Sequence, residues 1–138
     1  GNIHGVKELY EPYKDYCELV GLVTHDKMAE LYHAAHVLIQ PSLADGFGLV
    51  ALEAMSCGLP VILSDSTGAS DIVEDGKNGF VVKSGSIDDI FEKVNWFNNH
   101  RNHISEMSKN AKMTADFYTW ERYHQKAIEE IKNIIKPE

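Results

Sequence analysis

Apolar positions along the chain change their spacing several times, and each change predicts an element. Ile3, Val6, Leu9, Tyr10 and Tyr13 fall at helical spacing over residues 2–16, with Pro12 interrupting the run. Residues 19–23 form a short apolar run and predict a strand. Thr24 then offers an N-cap, and Met28, Leu31, Tyr32 and Ala35 mark one face of a helix. Residues 37–40 predict a second strand, ended by Pro41 and Ser42, and residues 43–48 a loop. Residues 49–57 read as a buried helix with Gly58 as its C-cap, and residues 61–63 as a third strand. A polar turn region covers 64–70, one helical turn 71–74, another turn 75–79, and a fourth strand 80–82. Ser86 caps a helix to about Asn98, and two more follow over about 102–115 and 119–135.

Four β-rich runs alternating with helices imply an α/β fold, a Rossmann-like parallel sheet with helices on both faces. Residues 1–138 are read as a single domain with a helical tail over about 116–138. Ligands of such sheets lie beyond the C-terminal ends of the strands. The loops after Val23, Gln40 and Leu63 are therefore the places for chemistry.

Composition narrows the classes. Lys and Arg total 13 against 21 Asp and Glu, a net charge of −8, which argues against a nucleic-acid partner. No apolar run reaches the ~18–20 residues of a membrane span. Cys17 and Cys57 both sit in apolar stretches and read as buried thiols of a reducing compartment. The chain starts with Gly rather than Met, so Gly1 reads as a cleavage scar and the chain as a piece of something longer. Seven histidines invite a metal site, but His25, His33 and His36 have no acid completing a set, and His100 and His103 lie in a polar helix connection. No metal is expected. Phe117, Tyr118, Trp120 and Tyr123 form an aromatic cluster; a tail helix packing on its own domain is favoured over a partner surface.

The segment 41–55 carries the most chemistry. Gly46 and Gly48 let a backbone approach a ligand closely at a strand-to-helix turn. The free N–H groups and positive dipole end of the following helix suit a phosphate without any lysine. Glu53 lies five residues after Gly48, ~7–8 Å further along the axis, where a ribose attached to that phosphate would sit. A carboxylate accepts from both hydroxyls of a cis-diol. Its apolar neighbours in 49–55 place Glu53 on a buried or half-buried face, where an unpartnered charge is costly. Asp45 stands on the other side of the turn, at the second half of a diphosphate ligand. Gly46-x-Gly48 without a third glycine is a poor dinucleotide fingerprint.

Residues 41–62 read Pro-Ser-x-x-Asp-Gly-Phe-Gly-Leu-Val-x-Leu-Glu-Ala-Met-x-Cys-Gly-x-Pro-Val-Ile, which strongly resembles the signature of group 1 glycosyltransferases, family 4 of the GT-B fold. Gly21-Leu22-Val23, the run from Asp71 to Val82, and Phe117-Tyr118-Thr119-Trp120-Glu121 resemble further family segments, so the likeness covers about 19–135. It implies the partial C-terminal half of a GT-B enzyme, a donor-nucleotide-sugar-binding domain that transfers a sugar with retention when part of a two-domain protein. By the same resemblance, Asp45 is the catalytic position and contacts the donor sugar, and Glu53 holds the ribose hydroxyls. Backbone N–H groups across Gly46, Phe47, Gly48, Leu49 and Val50 hold the diphosphate. The expected substrate is a UDP- or GDP-linked sugar, with no cofactor.

The resemblance implies a carbohydrate or glycolipid acceptor bound by an N-terminal domain not found in this sequence, a role in polysaccharide biosynthesis, and a cytoplasmic location near the inner membrane face. The sequence departs from the family at several points. Asp45 stands where the family has Glu, and Asp71 is likewise shortened in Thr67-Gly68-Ala69-Ser70-Asp71. Two strands and a basic pair expected upstream are not found, so this chain alone is expected to be inactive. Their absence would leave a strand edge open to homo-oligomer pairing. The other reading is a non-catalytic nucleotide-sugar-binding or assembly module.

Overall fold

The fold is known from a computed structural model that describes residues 7–135. A short helix, α1 (Lys7–Tyr10), runs into a 3-10 turn (Glu11–Tyr13), where Pro12 ends regular α-helix. The part of the predicted N-terminal helix before residue 7 lies outside the described residues. Residues 19–23 are not a strand. Gly21 has φ +77°, which breaks a regular extended run, and Leu19, Val20 and Leu22 are exposed rather than paired. Cys17 is exposed too, not buried; among the described residues its bonds are the local ones to Tyr10 and Tyr13. Cys57 is half-buried.

From Thr24 onward prediction and structure converge. The Thr24 hydroxyl accepts from the Lys27 N–H and opens α2 (His25–Ala34), whose inner face is marked by buried Tyr32. Next come β1 (Leu38–Gln40), α3 (Leu49–Ser56) and β2 (Val61–Ser64). Between α3 and β2, Gly58 N–H bonds Met55 C=O and Leu59 N–H bonds Ala54 C=O, the double closure of a Schellman motif. A 3-10 turn (Gly68–Ile72) precedes β3 (Gly79–Val82); the helical turn therefore begins three residues earlier than the predicted 71–74. Then follow α4 (Ile87–Asn99), α5 (Arg101–Phe117) and α6 (Trp120–Ile135). Ser86 caps α4 reciprocally: its hydroxyl accepts from the Asp89 N–H and donates to the Asp89 carboxylate. That hydroxyl, helped by the Lys83 N–H, holds the Asp89 carboxyl below its usual range.

The described sheet has three strands, all parallel, in the order β1-β2-β3. Leu38 pairs with Val61, and Val61 with Gly79. Every residue of β2 is buried, as a central parallel strand requires. Alternation along it sends Val61 and Leu63 to one face, against Ala51 and Met55 of α3 and Ala111 and Ala115 of α5. Ile62 points to the opposite face, with Phe80, Val82, Phe97 of α4 and Met107 of α5. Helices thus cover both faces, as the alternating pattern implies. Asn78 is buried and fully engaged: it accepts from the Glu74 N–H and donates to Ile72 C=O and Thr114 Oγ1. It ties the turn before β3 to α5.

Among the described residues, the tail helix buries no side chain on its own domain. α6 has no buried residue, and Trp120, Tyr123 and Ile134 are 62%, 64% and 81% exposed. Among the described residues no helix is long and apolar enough to cross a membrane.

Candidate functional site

β1 delivers the chain to the C-terminal edge of the sheet, where residues 41–48 meet the turn that follows β2. The pairing of the strands continues into these loops: Asp45 bridges Thr67 in the parallel sense. The Asp45 N–H donates to Ser66 C=O at 3.1 Å. Two carbonyls of the first loop then accept from the second. Gly68 N–H reaches Gly46 C=O at 3.0 Å, and Ala69 N–H reaches Phe47 C=O at 2.6 Å. Gly68 is indispensable to this contact, because a Cβ there would run into Gly46 C=O and lie 3.1 Å from Phe47 Cα.

That arrangement aims the backbone. All peptide bonds described are trans, so each N–H points opposite to the carbonyl of the preceding residue. With the carbonyls of Gly46 and Phe47 turned toward the 3-10 turn, the N–H groups of Phe47 and Gly48 point away from it. Among the described residues, the N–H groups of Gly46, Phe47, Gly48, Leu49 and Val50 donate to no protein group. Gly48 is the N-cap of α3 at φ +80°, ψ +56°, and a Cβ on it would lie 2.6 Å from Thr67 Cγ2. The helix α3 therefore starts with unused donors at a surface where Phe47, Leu49 and Val50 are exposed.

Along α3 two faces separate. Ala51, Ala54 and Met55 are buried, while Leu49, Val50, Glu53 and Ser56 face outward. Glu53 is exposed, which corrects the expectation of a buried or half-buried face. The apolar residues around it in sequence lie on both sides of the helix, and two of them, Leu49 and Val50, are left uncovered. Glu53 does have a partner: Oε2 accepts from the Tyr32 hydroxyl at 3.3 Å. Asp45 is exposed, and its Oδ2 accepts from Gln40 Nε2 at 2.9 Å. The other amide atom of Gln40, Oε1, is buried without a partner among the described residues.

Burial first, and then the Glu53 charge, push the Tyr32 phenol up to about 12, so it stays protonated as a donor. Asp45, the five N–H groups and Glu53 thus follow one another along a single loop and helix start. Tyr32 and Gln40, the two side chains that hold the acids, were legible in sequence only as a helix-face aromatic and a strand end. His25, His33 and His36 are exposed, and His100 stacks on Trp96 at 4.6 Å. Among the described residues no three His, Cys, Asp or Glu lie together as metal ligands would. A cavity of about 160 Å³ between Gly76, Lys77, His103 and Met107 includes none of the residues of the site.

The family model of glycosyl transferases group 1 matches residues 9–114. An uncharacterised glycosyltransferase of Methanocaldococcus jannaschii is 32% identical over 107 residues, 78% of this chain and 30% of its own length. A D-inositol 3-phosphate glycosyltransferase of Gordonia bronchialis is 33% identical over 95 residues, 69% of this chain and 21% of its own. Sucrose-phosphate synthase of Thermosynechococcus elongatus has a similar fold, with a TM-score of 0.83 and 26% identity over 95% of this chain and 34% of that one. Anabaena HepE, solved in complex with UDP, has a TM-score of 0.81 at 24% identity, over 93% of this chain and 36% of that one. The chain spans between 21% and 36% of the length of these proteins.

Proposed function

Since this chain belongs to the group 1 glycosyl transferases and has the α/β fold of their GT-B relatives, we propose that it is the donor-binding domain of a retaining glycosyltransferase. The observation that carries this reading is the row of unused N–H groups at the start of α3, those of Phe47 and Gly48 turned away from the 3-10 turn, with Glu53 following on the exposed face of the same helix. Unused donors at a helix start fit a diphosphate, and a carboxylate one to two turns on fits the vicinal hydroxyls of a ribose. Exposed Leu49 and Val50 give the nucleoside an apolar surface beside that carboxylate. Asp45, at the opposite end of the row, is assigned to the sugar.

In this reading the acceptor oxygen forms its bond to the anomeric carbon as the bond from that carbon to the diphosphate oxygen breaks. The acceptor proton passes to the leaving diphosphate, on the same face of the sugar, which gives retention. The N–H row stabilises the charge that develops on the leaving group, and it is oriented before the reaction begins. The donor is assigned as UDP- or GDP-linked, in keeping with the UDP complex of Anabaena HepE. The acceptor, a carbohydrate or glycolipid, is assigned to protein outside these residues.

Ligand-observed NMR with UDP, GDP and ADP, each with and without a hexose, tests the assignment on the chain and on Glu53→Ala. The reading requires a signal for one base that the substitution abolishes. A signal that survives Glu53→Ala rejects the ribose assignment, and silence for the whole panel rejects a donor site formed by this chain.

A further inference from the structure

The Glu53 carboxylate is held from behind. Tyr32 belongs to α2, 21 residues earlier, and is 8% exposed. Its ring packs in a cluster with Ala54 and Leu59, and Met28 borders the same cluster. The core therefore determines where the hydroxyl sits. That hydroxyl donates to Glu53 Oε2 at 3.3 Å, while no described group donates to Oε1. The phenol keeps its proton throughout the neutral range, as any tyrosine does, and burial with the Glu53 charge pushes it further up, to about 12. A carboxylate with one oxygen tethered to a fixed donor presents the other in a fixed direction. Without the tether an exposed glutamate samples several rotamers, and ordering one of them on binding is costly.

We propose that Tyr32 is a positioning residue that aims the Glu53 carboxylate at the ribose hydroxyls of the donor nucleotide. This rests on the ribose assignment of Glu53 made above and deepens it. It makes the helix before β1 a part of nucleotide recognition, although Tyr32 itself touches no ligand. A tyrosine retained merely as core filling would act through its ring; Tyr32 acts through its hydroxyl.

Calorimetric titration of the chain with UDP and GDP, and with their 2′,3′-dideoxy counterparts, separates these roles. Tyr32→Phe is expected to weaken the ribonucleotide about 3- to 10-fold, the size of one hydrogen bond, and to leave the dideoxy compound unchanged. In a Glu53→Ala background the same substitution is expected to add nothing, because the two residues act as one unit. Equal losses for ribose and dideoxy ligands would overturn the proposal and leave Tyr32 structural. Glu53→Ala weakened with Tyr32→Phe unchanged would overturn it while the ribose assignment stands. Glu53→Ala without effect, or a wild-type chain that takes up neither nucleotide, would overturn both. Should Tyr32→Phe lose its fold, Glu53→Gln decides with Tyr32 in place. The phenol still binds the amide oxygen and so turns the amide NH2, not an acceptor, toward the ribose. Ribose preference should therefore fall to that of Glu53→Ala, and a preference kept near the wild type would show the amide oxygen free of Tyr32 and overturn the proposal.

Discussion

α5 and α6 follow one another, have 17 and 16 residues, and are both amphipathic, yet only α5 is built into the core. The inner residues of α5 are Met107, Ala111 and Ala115, and the two alanines let it lie close against Ala51 and Met55 of α3. The stripe of α6 is made of large groups, Trp120, Tyr123, Ile128, Ile131 and Ile134, and all of them are more than half exposed. Helical periodicity predicts that an element has an apolar face. Residue size shows better whether that face meets another helix within the same domain, because small side chains allow close approach.

The contrast can be sharpened by substitution, with urea unfolding as the measurement. The largest effect is expected on the covered face. Met107 is 2% exposed between the sheet and α4, so Met107→Ala should cost about 2–5 kcal/mol through lost burial and the cavity left behind. Ala111→Leu should cost about 1–3 kcal/mol, because the fully buried alanine has no room for three more carbons. On the outer side of α5, Lys112 Nζ donates to Ser56 C=O at 3.2 Å and pairs with Asp116 at 3.3 Å. Both partners are exposed, so Lys112→Ala should cost about 0.2–1 kcal/mol and the difference should shrink in high salt. Ile131→Ser on α6 should change stability by no more than about 0.5 kcal/mol. A loss above 1 kcal/mol there would break the comparison, since it would mean that this face is covered in solution.

The same physics separates what was legible in the sequence from what was not. The central region was readable because burial demands a pattern: the apolar run at 61–63 is the fully buried β2, and Ser86 and Gly58 stand where the caps of α4 and α3 require them. Residues 19–23 misled because an apolar run is only half of a strand; it also needs an extended backbone and a neighbour, and Gly21 supplies a left-handed turn instead. Glu53 misled because α3 is apolar around most of its circumference, although only its Ala51, Ala54 and Met55 side is covered. The direction of the peptide planes at 46–48 cannot be seen in residue types. It follows from which loop packs on which, and so from Gly68, about twenty positions away.

The bonds from Gly68 and Ala69 to the carbonyls of Gly46 and Phe47 also bear on how the loop can be dissected. An alanine scan of Phe47, Leu49 and Val50 leaves all three main-chain donors intact and reads only bulk. Replacing single peptide bonds by esters removes one donor at a time while the side chains stay. A chemist mapping the loop therefore needs backbone editing, whereas natural variation can alter those side chains freely without touching the donors themselves.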